Sequence, residues 1–377
     1  MKIPFNKPYF TGAETKYIYQ AVESGKISGD GIFTRKCHNF FEKIYRFKKA
    51  LLTTSCTDAL EMAAILCNIK PGDEVIAPSY TFVSTVNAFI LRGATIVFVD
   101  SEQQTPNIDV TQIEALITPR TKAIIPVHYA GVACDIDAIL SIAKKYNLYV
   151  IEDAAQAIDS FYKGKRLGSL GHLSTFSFHE TKNIISGEGG LLAINDEYFI
   201  PRAEIIREKG TDRSAFFRGE VDKYGWVDIG SSFLPSDIIA AFLFAQIEQL
   251  DIIQRRRKYI WEQYYNSLKI LAGNGFFEMP LIPEYASNNA HMFYLICNNM
   301  EQRDDLILHL KKQDIMAVFH YQSLHSSAYY IDKHDGRELP NADRYSSSLL
   351  RLPLYYELSE NDVEKITDAI KSFYIKK

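Results

Sequence analysis

Two segments of the chain carry residue types that could do chemistry together. Glu152-Asp153-Ala154-Ala155-Gln156 follows directly on the apolar run Leu148-Tyr149-Val150-Ile151, and Ser177-Phe178-His179-Glu180-Thr181-Lys182-Asn183 runs into Gly187-Glu188-Gly189-Gly190. A carboxylate at the end of a strand, followed by a lysine in a Ser/His/Asn-rich turn closed by glycines, suits pyridoxal phosphate chemistry. In that chemistry the lysine amine condenses with the cofactor aldehyde. The carboxylate keeps the pyridine nitrogen protonated, so the ring serves as an electron sink.

Most lysines are solvated surface, and it is the company of Lys182 that sets it apart. Ser177 is placed to reach a phosphate oxygen, while Gly187, Gly189 and Gly190 permit close backbone approach. Such an amine must be partly deprotonated near neutral pH, through desolvation or a nearby cation. Asp153, after an apolar strand, is expected to be partly buried and to need a partner, which a pyridinium N–H supplies. The same aspartate also suits an N-cap for the residues after it. Gln156 is placed to approach the ring's phenolic oxygen.

Ser55-Cys56-Thr57 falls between a strand and a helix, where backbone N–H groups and hydroxyls form an anion site without a basic side chain. Simple capping requires the same residues. Phe82 is a candidate to stack on the ring, against the general tendency of phenylalanine to be core. His128 and His179 are candidate acid–base groups, competing with the Lys182 amine, which can itself carry the proton. No His/Cys/Asp spacing has metal-ligand geometry, so no metal is expected. The nucleophile-elbow, P-loop and dinucleotide fingerprints are absent. Arg207, Lys209, Arg213, Arg218 and Lys223, with Phe216, Phe217, Tyr224 and Trp226 among them, suit either a nucleotide diphosphate at a dimer interface or a solvated loop.

These residues need elements to position them. Short β-rich runs at Ala50–Thr53, Glu74–Ala77, Ala94–Val99, Ala123–Val127 and Tyr149–Ile151 alternate with helical patterns over 58–68, 81–92 and 135–146. That alternation predicts right-handed crossovers and a mostly parallel sheet with the ligand beyond the carboxyl ends of its strands. Thr54 to Thr57, Pro78 to Phe82, His128-Tyr129 and Glu152-Asp153 all fall at those ends. A helical stretch over 238–268, carrying Gln254-Arg255-Arg256-Arg257-Lys258 as a solvated face, is expected to lead into a second unit. There the pattern turns β-α-β-like (292–297, 304–312, 316–320), with a closing helix after Ser359.

The chain has 377 residues, more than one core usually organises, and its 47% hydrophobic and 23% charged content is that of a globular protein. A net charge of −4 offers no general attraction to nucleic acid or anionic membranes. No run approaches a membrane span, and the first residues lack an apolar signal core. The five cysteines are scattered without a C-x-x-C pair, as expected of reduced thiols in a cytoplasmic protein.

Taken together, the segments resemble the DegT-type sugar aminotransferases of fold-type I. The likeness runs through Gly29-Asp30-Gly31, Ser55 to Leu60, Pro71 to Val75, Pro78 to Thr85, Pro126 to Gly131, Glu152 to Gln156, the Lys182 segment, His291 to Tyr294 and Met316 to Tyr321. It implies an α/β fold-type I aminotransferase fold: a large domain over 1–245 with a mostly parallel central sheet and helices on both faces, and a smaller C-terminal α+β domain over 246–377. It implies pyridoxal 5'-phosphate as cofactor, Lys182 as the lysine joined to it and Asp153 as the pyridinium partner. Gln156 would meet the phenolic oxygen, Phe82 would stack on the ring, and Cys56, Thr57 and Ser177 would bind the phosphate. Where many members carry an asparagine lent by the neighbouring subunit, this chain has Ser232, a shorter reach to the same phosphate. His128, Tyr129, His179, Arg207, Lys209, His320 and Tyr321 are the expected substrate contacts. Lysine at 182 separates the chain from the related dehydratases, which carry histidine there.

Within the family, Phe178 to Asn183, Arg207 to Thr211 and Asp228 to Ser232 carry a narrower match. It implies transamination at C4 of a dTDP-linked 4-keto-6-deoxy sugar with L-glutamate, for surface polysaccharide, by a cytoplasmic homodimer with shared active sites. Rival expectations are another nucleotide-linked keto sugar, or a non-catalytic sugar-sensing protein on the same fold.

Overall fold

The computed structural model describes residues 2–375. Strands β1 (Lys49–Thr53), β2 (Glu74–Pro78), β3 (Thr95–Val99), β4 (Thr121–Ile124) and β5 (Tyr149–Asp153) are followed by a short ribbon, β6 (Phe161–Tyr162) with β7 (Lys165–Arg166), and then by β8 (Leu173–Ser177) and β9 (Gly190–Ile194). Seven of these form one sheet in the order β1-β9-β8-β5-β4-β2-β3, in which β9 runs against its neighbours and the other pairings are parallel.

The apolar strand runs are explained by burial on both faces. Successive side chains alternate: Leu51, Val75, Ala77, Ile96, Phe98, Ile151, Leu192 and Ile194 enter one core, while Leu52, Ile76, Ile124, Val150, Leu191 and Ala193 enter another. Helices Cys56–Leu66, Ser84–Ile90 and Ile200–Arg207 cover the first face, and Ile32–Tyr45, Ile136–Tyr146 and Asp237–Glu248 the second. The mostly parallel sheet with helices on both faces is the expected fold.

Several local expectations shift. The helix expected from 58 begins at Cys56, because the Ser55 hydroxyl accepts from the Asp58 N–H at 3.0 Å and caps it. The helix expected from 81 begins at Ser84, which leaves Thr81-Phe82-Val83 as a loop at the end of β2. The stretch 238–268 is two helices, Asp237–Glu248 and Leu250–Gly273, that part at Gln249. Its charge run is not uniformly solvated: Arg257 is buried and donates to the carbonyls of Ala290 (3.1 Å) and His291 (2.8 Å).

A second sheet, β10 (Phe277–Glu278), β11 (Phe293–Cys297), β12 (Val318–Phe319) and β13 (Leu349–Leu352), is antiparallel throughout in the order β10-β11-β13-β12. Helices Leu250–Gly273, Met300–Lys311 and Glu360–Ile375 pack on it around a third core. Ile3 belongs to that core and bridges Ile315, so the N-terminal segment starts beside the C-terminal sheet.

One close approach joins the large sheet to its first helix. A Cβ on Gly190, at the start of β9, would stand 2.3 Å from the Ser55 carbonyl group and 2.4 Å from the Cys56 nitrogen, backbone atoms that cannot rotate away. Gly190→Ala is expected to cost about 1–3 kcal/mol, the usual penalty of overpacking, and to weaken retention of the phosphate expected at that helix start. Urea unfolding together with cofactor absorbance checks both.

Candidate active site

The carboxyl ends of β2, β5 and β8 open into a cavity of about 760 Å³, within the usual range for a small-molecule site. The C-terminal sheet closes it with Val318, Phe319, His320, Tyr321, Arg351 and Leu352, and the N-terminal segment adds Phe5 and Asn6.

Asp153 ends β5 and is buried. Its Oδ2 accepts from the Thr85 hydroxyl at 2.7 Å and its Oδ1 from the Ala155 N–H at 3.1 Å. Burial pushes this carboxyl above its usual range, against the opposing pull of Thr85, Ala155 and the Lys182 charge. Lys182 lies in the loop between β8 and β9 and lines the same cavity. Burial pulls its amine below the ordinary lysine value, despite the opposing influence of Cys56 and Asp153. Among the described residues its Nζ has no hydrogen-bond partner or ion pair.

The phosphate end is equally recognisable. Helix Cys56–Leu66 points its N-terminus into the cavity, with Cys56 and Thr57 on the lining and the Thr57 hydroxyl 2.9 Å from that of Ser84. Ser177 ends β8 beside it, paired with Gly190. Phe82 keeps 54% of its surface exposed, with its ring 6.0 Å from that of Tyr321. Gln156 accepts from the Ala130 N–H at 2.7 Å and donates to the Tyr321 hydroxyl at 2.9 Å, so its amide is fixed at the cavity wall.

These residues fit pyridoxal 5'-phosphate. An unpartnered amine, a carboxylate with room for one more donor, a helix N-terminus and an exposed aromatic face share one cavity, and Gly190 lets the backbones meet beside the helix start. When bound, the cofactor supplies an electrophilic aldehyde and an electron-withdrawing ring. Asp153 would hold the ring nitrogen's proton there, Lys182 would present its amine, and backbone N–H groups and hydroxyls at the start of helix Cys56–Leu66 would meet the phosphate.

The expected substrate contacts divide. His179, His320 and Tyr321 line the cavity; the His179 Nδ1 is 2.9 Å from the Thr181 hydroxyl and the His320 Nδ1 2.7 Å from the Tyr129 hydroxyl. Tyr129 itself is buried behind His320. His128 does not reach the cavity: it is fully buried, with Nε2 2.9 Å from Glu152 and Nδ1 accepting from the Cys134 N–H at 3.2 Å. Arg207 is also elsewhere, buried against Asp30 at 2.6 Å. Lys209 and Ser232 are exposed and lie off this chain's cavity.

Sequence reasoning missed Thr85, Asn183, His291 and Arg351. Asn183 joins the Lys182 loop to the C-terminal part, donating to the Asn289 carbonyl at 2.9 Å and standing 2.8 Å from His291 Nδ1. Arg351 had a usable signal, a lone charge inside the apolar strand Leu349-Leu350-Arg351-Leu352.

The model of the DegT/DnrJ/EryC1/StrS aminotransferase family matches residues 8–371, and the chain belongs to that family. It is 33% identical to the spore coat polysaccharide biosynthesis protein SpsC of Bacillus subtilis, over 98% of this chain and 96% of that one. An uncharacterized protein of Methanocaldococcus jannaschii is 36% identical over 90% of this chain and 89% of its own. Among solved structures, Spr1654 of Streptococcus pneumoniae superposes in its PMP form with a TM-score of 0.91 at 27% identity, over 99% of both chains. Its PLP form gives 0.90 at 26% identity, over 100% of this chain and 99% of that one. The protein is thus a fold-type I, pyridoxal phosphate-dependent aminotransferase.

Lys182→Ala is expected to fold, to lose covalent capture of the cofactor on borohydride reduction, and to lose turnover by on the order of a thousandfold or more. In the wild type only the neutral amine condenses, so reconstitution should quicken as pH rises, with a midpoint below the ordinary lysine value of 10.5. Stopped-flow absorbance across pH checks this.

Proposed function

We propose that this family member moves the amino group of L-glutamate to C4 of dTDP-4-dehydro-6-deoxy-D-glucose, releasing 2-oxoglutarate and dTDP-4-amino-4,6-dideoxy-D-galactose. The observation that carries the catalytic part of the reading is the pairing of an unpartnered Lys182 amine with the buried Asp153 carboxylate in one cavity. The choice of sugar is supported by the narrower match over Phe178 to Asn183, Arg207 to Thr211 and Asp228 to Ser232.

In this reading Lys182 removes the proton from the donor's α-carbon and later delivers one to C4 of the sugar. Asp153 holds the ring nitrogen's proton throughout. Cys56, Thr57 and Ser177 hold the phosphate, Phe82 packs on the ring and Gln156 meets its phenolic oxygen. His179, His320 and Tyr321 contact the sugar or the donor. Residues 1–245 form the cofactor-binding domain and 246–377 the smaller domain that closes over it.

A homodimer with shared sites accounts for the residues that lie off the single-chain cavity. Lys209 and Ser232 bracket an exposed segment that includes Phe217 and Trp226, with 68% and 83% of their surfaces open. Apolar surface of that kind is usual for an interface. A second copy would receive Ser232 at its phosphate and Lys209 near its nucleotide. Among the described residues no helix is long and apolar enough to cross a membrane, and we place the enzyme in the cytoplasm. The similarity to SpsC, named for spore coat polysaccharide biosynthesis, supports a role in making surface polysaccharide.

Proton NMR of the product from dTDP-4-dehydro-6-deoxyglucose, glutamate, cofactor and enzyme is expected to show an axial amine at C4. An equatorial amine at C4, or no product, overturns the sugar assignment and turns attention to C3 ketones and to GDP- or UDP-linked sugars.

A further inference from the structure

One ring nitrogen in the cavity is left over when the hydrogen bonds around Lys182 are followed outward. Asn183 comes directly after Lys182, and its side chain is buried. Its Nδ2 donates to the Asn289 carbonyl at 2.9 Å and to the Gln254 Oε1 at 2.8 Å. The same carbonyl accepts from the Gln254 Nε2 at 3.2 Å. A backbone carbonyl only accepts, so both amides are fixed in orientation and the Asn183 Oδ1 is left as an acceptor. It stands 2.8 Å from the His291 Nδ1. Nδ1 must therefore carry the ring's proton, and Nε2 keeps a bare lone pair.

The rest of His291 is equally committed. Its backbone N–H donates to the Asn289 Oδ1 at 3.0 Å, and its carbonyl accepts from Arg257 at 2.8 Å. Asn289 is held in turn by the carbonyls of Gln156 (2.7 Å) and Ile158 (2.8 Å). The ring is thus anchored through its backbone and its Nδ1, and it lines the same cavity as Lys182. Among the described residues its Nε2 has no hydrogen-bond partner, and neither has the Lys182 Nζ.

The surrounding charges keep the ring neutral. Burial holds His291 well below the usual histidine range, helped by Lys182, Arg257 and Arg351. After burial, the charge of Lys182 does most of this, which places the two groups close together. His320 is kept neutral in the same way. Around Lys182 itself, Cys56 and Asp153 favour the charged amine while burial and Arg351 oppose it. An ammonium has three donors and no acceptor, and a histidine that stays uncharged beside it offers the acceptor it lacks.

We propose that the His291 Nε2 accepts a hydrogen bond from the Lys182 amine whenever that amine is free, and that Asn183 is the positioning residue that keeps Nε2 bare. The inference deepens the aminotransferase reading above and rests on it. The proton stays on Lys182, and His291 aims the amine that carries it between the donor's carbon and the sugar's.

The test compares wild type with His291→Asn and His291→Gln. Asparagine offers an amide near the place of Nδ1 and nothing at that of Nε2, whereas glutamine reaches the place of Nε2. A neutral acceptor favours the charged amine, so losing it lowers the amine's pKa. In His291→Asn the pH midpoint for capture of the cofactor by the full-length apoprotein is expected to fall by about 0.5 to 1 pH unit. Capture below that midpoint then quickens by about three- to tenfold, because more of the amine is neutral. The half-reaction of the holoenzyme with glutamate slows on the order of tenfold, because the amine is no longer aimed. His291→Gln is expected to restore at least half of both changes. Nitrogen-15 NMR of labelled histidine in the wild type is expected to show Nε2 unprotonated, which tests the tautomer even if His291→Asn does not fold. A protonated Nε2 overturns the proposal. So does an unmoved midpoint in a folded His291→Asn, whether both reactions slow together, as from a merely structural role, or only the keto-sugar half-reaction is lost, which assigns Nε2 to a substrate hydroxyl. A wild-type holoenzyme that no amino acid converts overturns the aminotransferase reading, a failure separate from those read on the apoprotein.

Discussion

Two opposite charges taken out of water in one cavity set the terms for the rest of this protein. Burial shifts the Asp153 carboxyl upward against the pull of one hydroxyl and one backbone N–H, and it shifts the Lys182 amine, which has no hydrogen-bond partner among the described residues, downward. Each group favours the other's charge, but burial outweighs that attraction. Pyridoxal phosphate would offer such a pair both a ring N–H and an aldehyde.

The neighbouring residue shows what a finished site looks like. Glu152 is as buried as Asp153, yet it accepts from the N–H groups of Gly168, Leu170 and Gly171 and meets His128 at 2.9 Å. Burial alone would raise its pKa, but His128 and those donors outweigh it and the carboxyl is lowered. Adjacent residues on a strand point to opposite faces. One carboxylate therefore anchors the loop after β7, and the other lines the cavity. His128 goes with the first, so it cannot serve the second.

The C-terminal part does more than cover the cavity. Arg257 ties helix Leu250–Gly273 to the carbonyls of Ala290 and His291, and Asn183 ties the Lys182 loop to the Asn289 carbonyl. The loop bearing Lys182 is thereby tied to a segment that helix Leu250–Gly273 holds in turn. The same packing holds His291 and His320 neutral and leaves Arg351 charged, so the wall that meets the substrate presents one cation among aromatic rings.

The sequence by itself determined the alternation of strands and helices and the strand-end position of Asp153, because those depend on periodicity within a few residues. It also singled out Lys182 by its local company of serine, asparagine and glycine. Tertiary structure alone decided that β9 inserts between β1 and β8, that the helical stretch parts at Gln249, and that Arg257 leaves the solvent for a set of carbonyls. It likewise decided which of several histidines and arginines face the cavity: His291, His320 and Arg351 do, while His128 and Arg207 meet carboxylates elsewhere. The reason is physical. A side chain's type and its strand's pleat are local properties, but the partner it meets depends on which strands become neighbours, and that is settled by contacts between segments hundreds of residues apart, such as Ile3 with Ile315.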